Sequence, residues 1–312
     1  MQEVRIVAPS LSLEKKDLSK LKKAEEYFKS IGYTLTTGKY IFDKNKYYGC
    51  SSIKNRVNDL MDAFKDKNVK IIICANGGYN VNQILPFLDY NIIKNNPKML
   101  IGYSDITALL NAITSKTNLI TYYGPMLSGF TYQHQYTIEY FEKVLKNEEL
   151  TINSSKELYD NQSILKNNGM IAINSGKTSG KVIGGNLCTL NLLQGTEYMP
   201  NLNDSILFIE DDADDFKNDV FLLEFDRNLE SLLQSKNSNI KGIVFGRFEL
   251  CSNMTIEKLK TLIKQKEKLK NIPIVFGADF GHTNPMFTIP IGGTCTLDIK
   301  PNNIKIEFKK SR

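Results

Sequence analysis

Alternation between two hydrophobic periods constrains this chain more than any other feature. From Glu3 to about Leu145 a short β-branched run, a turn and a lysine- and glutamate-rich helical segment succeed one another repeatedly, beginning with Val4–Ala8 and then Lys15–Ser30. Apolar runs too short for helices, each followed by a helix-period segment, read as βαβ units. They predict a mostly parallel sheet with helices on both faces. Further strands are expected at Val69–Ala75, Met99–Gly102 and Leu119–Tyr123, with helices near Ser52–Lys67, Val81–Leu88, Ile106–Lys116 and Thr137–Lys146.

The rhythm fades after residue 150. The stretch NEELTINSSKELYDNQSILKNNGMIAINSGK is rich in Asn, Ser and Lys and loses clear alternation, so residues 151–177 read as a linker. It divides an N-terminal α/β domain (residues 1–150) from a C-terminal domain (residues 178–312). The latter carries expected strands at Lys181–Ile183, Ser205–Glu210, Gly242–Phe245 and Ile272–Phe276, and helices near Phe216–Gln234 and Thr255–Lys268. Its tail, Phe287–Phe308, reads as short strands and turns around Gly292-Gly293 and Pro301-Asn302-Asn303. The second half is therefore mixed α/β with a strand-rich end.

A length of 312 residues, 41% hydrophobic and 24% charged, suits two globular domains with a sizeable core. The first thirty residues hold no apolar block of signal-peptide length, and no later run approaches a membrane span, so a cytoplasmic protein is expected. The five cysteines are scattered, odd in number and without a Cys-x-x-Cys pair, which disfavours a disulfide framework and a structural zinc site. The net charge of +6 comes from dispersed lysines, a solvated surface rather than a nucleic-acid footprint.

The segment Lys98–Ile113 joins an apolar strand to a helix through Gly102-Tyr-Ser-Asp-Ile106. A sharp strand-to-helix turn is how a serine nucleophile is mounted clear of a sheet, and Ser104 stands there. The α/β-hydrolase pattern lacks its final glycine here, which argues against an ordinary lipase or esterase. A helix N-cap is the competing reading. A serine needs a base, and the chain has two histidines. His282 follows an apolar strand and a turn with two glycines and an aspartate, whereas His134 sits in a polar stretch with no strand leading into it. His282 is the stronger candidate. Ser205-Ile-Leu-Phe-Ile-Glu-Asp-Asp212 ends a strand in three carboxylates, of which Glu210 is nearest the sheet and best placed to orient a histidine. Asp211 and Asp212 could instead cap a helix or hold magnesium. Ile73-Cys-Ala-Asn-Gly-Gly-Tyr-Asn80 offers backbone N–H groups for an oxyanion, with Gly78 and the N–H of Asp105 as a two-donor hole. A tight turn or phosphate cradle is an alternative for Gly77-Gly78, although neither nucleotide-binding glycine pattern occurs.

In the order Ser104, Glu210, His282 the chain resembles the LD-carboxypeptidase family of serine peptidases, and within it the microcin C self-immunity branch. Asn76-Gly-Gly-Tyr-Asn-Val-Asn-Gln-Ile-Leu-Pro-Phe-Leu-Asp89 carries that resemblance. Gly102-Tyr-Ser-Asp-Ile-Thr107, Gly184-Gly-Asn-Leu-Cys-Thr-Leu-Asn-Leu-Leu-Gln-Gly-Thr196 and Gly281-His-Thr-Asn-Pro285 support it. The resemblance implies a flavodoxin-like N-terminal layer carrying Ser104, a C-terminal domain carrying Glu210 and His282, a cleft between them, a homodimer, no cofactor and no metal. It also implies cleavage of a small peptide or an aminoacyl-nucleotide antibiotic, with release of D-alanine from a murein tetrapeptide as the alternative. Immunity-branch members resemble one another in stacking a tryptophan on the nucleobase, and this chain has none. Tyr159 and Tyr198 are the candidate replacements. Arg247, one of five arginines, is the candidate cation for a substrate carboxylate. From other classes stand a non-catalytic small-molecule binding module and a thiol hydrolase using Cys74 or Cys188, neither of which has an electropositive setting.

Overall fold

The computed structural model describes residues 2–160, 163–213, 220–236 and 238–310. The first half runs β1 (Gln2–Val7), a 3-10 turn and α1 (Leu18–Ser30), β2 (Tyr33–Thr37), α2 (Ile53–Lys65) and β3 (Val69–Cys74). It continues through a 3-10 segment (Val81–Phe87), α3 (Tyr90–Asn95), β4 (Met99–Gly102), α4 (Ile106–Thr117), β5 (Thr121–Tyr123), α5 (Leu127–Tyr132) and α6 (Gln135–Leu145). The second half opens with β6 (Leu150–Thr151), β7 (Glu157–Asp160), β8 (Ser163–Lys166), β9 (Ile171–Asn174) and β10 (Gly176–Asn186). Then come α7 (Leu187–Asn191), β11 (Ser205–Glu210), α8 (Val220–Leu233), β12 (Gly242–Gly246), α9 (Ile256–Lys264), β13 (Ile274–Ala278), β14 (Ile289–Ile291), β15 (Thr294–Lys300) and β16 (Asn303–Phe308).

Two sheets organise these elements. The first has the order β14-β5-β4-β3-β1-β2, and β1 to β5 are parallel in it as the βαβ grammar requires. The second has the order β6-β16-β15-β10-β11-β12-β13-β9, a parallel centre of β10 to β13 flanked by antiparallel strands. Strands covered on both faces need continuous apolar runs, and β3 and β11 have them, with five of six and all six residues buried.

Several features depart from the reading by pattern. The stretch read as a linker carries β6 to β9, and β6 and β9 are the edge strands of the second sheet. Late in the chain, β14 crosses back to pair antiparallel with β5, so the first sheet ends in a strand from the second half. β2 is a half-exposed edge strand too weakly patterned to anticipate. The helix expected at Phe216–Gln234 is seen as Val220–Leu233, its expected start lying outside the described residues.

Helix α4 joins the two halves. Ten of its twelve residues are buried, so it is enclosed on all sides rather than amphipathic. Its buried polar groups reach across: Asn111 Nδ2 donates to the Gly184 carbonyl of β10 at 2.8 Å, and the Asn186 N–H donates to Thr107 Oγ1 at 3.0 Å. A buried donor or acceptor left without a partner costs about 1–3 kcal/mol, so these bonds fix the register of one half against the other. The ends of β4, β5, β11 and β13 consequently converge beside the N-terminus of α4.

Candidate active site

Ser104 stands between β4 and α4 with φ 61°, in the left-handed region. A residue with a Cβ gives up about 1–2 kcal/mol there, and the turn is held by the Thr107 N–H donating to the Ser104 carbonyl at 2.9 Å. The N-cap of α4 is Asp105, whose side chain makes no capping bond. The Ser104 Oγ lies 3.0 Å from His282 Nε2.

His282 occupies the loop after β13, and its Nδ1 is 2.7 Å from Glu210 Oε2 at the end of β11. Serine hydroxyl, imidazole and carboxylate thus form one hydrogen-bonded line, brought together across 178 and 72 positions of sequence. Burial presses the imidazole toward its neutral form, but the Glu210 charge and hydrogen bond, aided by Asp212 and Glu249, prevail and raise it to about 9. The second Glu210 oxygen accepts from the Tyr123 hydroxyl at 2.7 Å. Burial and the neighbouring carboxylate push that phenol well above its usual range, so Tyr123 keeps its proton and donates. Tyr123 was not anticipated, because a tyrosine closing a core strand looks like core. The Tyr103 ring packs edge-on against His282, their centroids 5.4 Å apart.

Close packing here depends on glycine. Gly281 has φ +115°, and a Cβ on it would lie 2.9 Å from Glu210 Oε2. A Cβ on Gly77 would lie 2.9 Å from Ser104 Cβ, so the Gly77-Gly78 backbone runs directly against the serine. Asp105 pins that loop from below: its carboxylate accepts from Ser10 Oγ at 2.5 Å and from the Val81 N–H at 2.9 Å. Burial raises the Asp105 carboxyl, with those hydrogen bonds and Arg56 working against the rise.

The remaining sequence candidates fare differently. Arg247 is corrected as a substrate cation. It is buried and its guanidinium is occupied, with Asp279, Thr283 Oγ1 and the Pro285 carbonyl as acceptors. Tyr198 is corrected as a stacking residue for this site, since its ring stacks on Tyr90 and lies 6.0 Å from Lys116 Nζ. Lys116 lies at the far end of α4 from Ser104, about 18 Å along the helix. Tyr159 does reach the rim: its backbone pairs with Asn284 through bonds of 2.6 and 2.9 Å, and its ring is 4.6 Å from that of His134. His134, set aside on sequence, lines with Tyr103, Met126, Tyr132 and Asn284 the cavity that contains His282.

Of the two aspartates, Asp211 is buried, and burial with the Glu210 and Asp212 charges raises it well above the carboxylate range. Asp212 accepts from Asn186 Nδ2 at 2.9 Å. Among the described residues no group of three or more His, Cys, Asp or Glu is arranged to hold a metal ion. Burial raises the thiols of Cys74 and Cys188 away from the reactive thiolate, although Cys188 itself is exposed. No helix of the described residues is long and apolar enough to cross a membrane.

Comparison with known proteins gives a consistent picture. Residues 4–124 match the profile of the LD-carboxypeptidase N-terminal domain, and residues 179–297 that of its C-terminal domain. The chain is 42% identical to a putative carboxypeptidase, YocD, of Bacillus subtilis, over 99% of this chain and 97% of that one. It is 35% identical to the microcin C7 self-immunity protein MccF of Escherichia coli, over 90% and 86%. A crystal structure of an MccF-like protein from Bacillus anthracis superposes with a TM-score of 0.94 at 40% identity, covering 99% and 97%. MccF in complex with aspartyl sulfamoyl adenosine superposes at 0.85 and 31% identity, covering 99% and 96%. A probable murein peptide carboxypeptidase of Bacillus subtilis is 29% identical, over 97% and 91%.

Proposed function

This chain belongs to the LD-carboxypeptidase family and is a serine-type carboxypeptidase, and from that premise we propose that Ser104, His282 and Glu210 are its catalytic triad, acting without metal on aminoacyl- or peptidyl-nucleotides. The observation that carries the triad is the unbroken line from Ser104 Oγ through His282 to Glu210, at 3.0 and 2.7 Å. Ser104 Oγ attacks the scissile carbonyl while His282 Nε2 takes its proton. The oxyanion is received by the N–H groups of Gly78 and Asp105, the latter at the positive end of α4. His282 then returns the proton to the leaving nitrogen, an acyl-enzyme remains on Ser104, and water activated by the same imidazole releases the acid. Glu210, held by Tyr123, keeps Nδ1 protonated and Nε2 free for this traffic.

The nucleotide reading is supported by the likeness to MccF, whose structures hold aminoacyl sulfamoyl nucleotides. Tyr159 beside His134 offers an aromatic surface on the rim for a base. The same reading includes a cleft between residues 1–150 and 178–312, a cytoplasmic location and a homodimer. Murein tetrapeptide cleavage is the second reading, favoured by the likeness to the murein peptide carboxypeptidase. Mass spectrometry of parallel incubations with an aminoacyl sulfamoyl adenosine and a murein tetrapeptide separates them. Cleavage of the first is expected; release of D-alanine alone would replace the proposal with the second reading.

A further inference from the structure

Arg247 follows β12 directly and touches five residues of the loop that carries His282. Its backbone N–H donates to the Phe280 carbonyl at 3.2 Å, and its own carbonyl would lie 3.1 Å from a Cβ on Gly281. Its side chain ion-pairs with Asp279, donates from Nε to Thr283 Oγ1 at 3.1 Å and from Nη2 to the Pro285 carbonyl at 2.6 Å. Contacts at 279, 280, 281, 283 and 285 bracket the histidine without touching it. Both partners of the ion pair are buried, with side-chain exposures of 7% and 1%. These three acceptors, with Ser155 Oγ 3.4 Å from Nη1 as a fourth, suit the planar guanidinium fork, which a lysine ammonium does not reproduce.

The same ion pair fastens a second segment. Asp279 also accepts from the Ser155 N–H and from Asn167 Nδ2, residues flanking the antiparallel pair β7 and β8. Asn167 Nδ2 in turn reaches Ser155 Oγ at 3.0 Å, while Tyr159 on β7 makes its two backbone bonds to Asn284. The strand pair and the histidine loop are thus tied at both the base and the side.

We propose that Arg247 is the positioning residue for His282, holding the histidine loop in register with Ser104 and Glu210 and joining it through Asp279 to the β7–β8 strands at the rim of the site. The proposal rests on the triad reading for its kinetic consequence, not for its geometric one. Contacts of 3.0 and 2.7 Å tolerate little movement, and displacement by about 1 Å of a reacting group lowers turnover by about 100-fold.

The test compares Arg247→Lys and Thr283→Val with wild type, the first keeping the buried charge and the second removing only the Nε acceptor. Two readouts are taken: steady-state kinetics on whichever compound the wild type cleaves, and an NMR titration of His282 in the unliganded protein. Arg247→Lys is expected to lower kcat by about 100-fold with KM within twofold, and to move the His282 midpoint from about 9 toward 6.5 as contact with Glu210 loosens. Thr283→Val shifts both in the same direction by less. If Arg247→Lys does not fold, as judged by its melting transition, Thr283→Val decides. An unchanged kcat with an unchanged His282 midpoint in a folded variant overturns the proposal. Failure of the wild type to cleave either compound counts against the substrate reading, and the NMR arm then decides the positioning role alone.

Discussion

Replacing Glu210 with glutamine keeps the shape of the side chain and removes its charge, which isolates what the carboxylate does for His282. In the wild type the imidazole is held at about 9 against an ordinary 6.5, although its burial works in the opposite direction. A rise of that size corresponds to about 3 kcal/mol favouring the imidazolium. Glu210 is the largest of the contributions that overcome burial, ahead of Asp212 and Glu249. In Glu210→Gln the His282 midpoint should fall from about 9 toward its ordinary 6.5, leaving burial opposed only by Asp212 and Glu249. The chain's two histidines make the assay simple: His282 and His134 give separate imidazole resonances in a carbon-13-edited titration. His134, lowered from its ordinary value by burial, serves as an internal reference that should not move.

Two consequences follow from the sign of this shift. A base at about 9 is neutral in about 1% of wild-type molecules at pH 7, so kcat/KM should climb with pH to a limb near 9. The raised pKa also stabilises the fold. That contribution is fully present below about 6.5 and lost as pH rises through about 9, so wild type should lose up to about 3 kcal/mol over this window relative to Glu210→Gln. At pH 7 the variant holds more neutral imidazole and still turns over slowly, by a factor of up to about 10⁴, because tautomer and orientation are no longer enforced. A wild-type His282 titrating near 6.5, or an unchanged midpoint in the variant, would refute this reasoning.

Tyr123→Phe removes the O–H that donates to Glu210 and should lower kcat/KM by about tenfold or more, with the larger change in kcat, measured by steady-state kinetics. Gly281→Ala puts a methyl group 2.9 Å from Glu210 Oε2 at φ +115°; denaturant titration should show a loss of about 1–3 kcal/mol, and activity should fall further than the folded fraction accounts for. His134→Ala should raise KM and leave kcat nearly unchanged, because the ring lines the cavity and contacts Tyr159 without reaching Ser104.

The parallel core and the convergence of Ser104, Glu210 and His282 were legible because each residue closes a strongly apolar strand or follows one within a short turn. The ends of parallel strands collect on one edge of their own sheet, Ser104 on the first and Glu210 and His282 on the second, and the bonds from α4 to β10 bring the two edges together. Arg247 was misread for the same reason. A cation just past a strand end looks like a substrate anchor, and only Asp279, 32 positions away, reveals that it is consumed within the protein. Tyr123 shows the opposite failure, an apolar-looking strand residue whose hydroxyl finds a carboxylate 87 positions on. Of the short strands between residues 150 and 175, β6 and β9 were illegible because their pairing partners, β16 and β13, lie 100 positions or more later, and β7 and β8, which pair with each other, because their alternation is weak. Likewise, three residues of β14 carry no signal that they will complete the first sheet.

The most direct test of the central claim, that Ser104 is a nucleophile activated by His282 and Glu210, is intact-mass spectrometry of wild type and Ser104→Ala after reaction with a fluorophosphonate. The serine oxygen displaces fluoride in that reaction and retains the phosphonyl group. The account predicts one phosphonyl adduct on wild type, mapped to the peptide containing residue 104, and no adduct on Ser104→Ala. An equal adduct on Ser104→Ala, or an unmodified wild type that still hydrolyses its substrate, would contradict it.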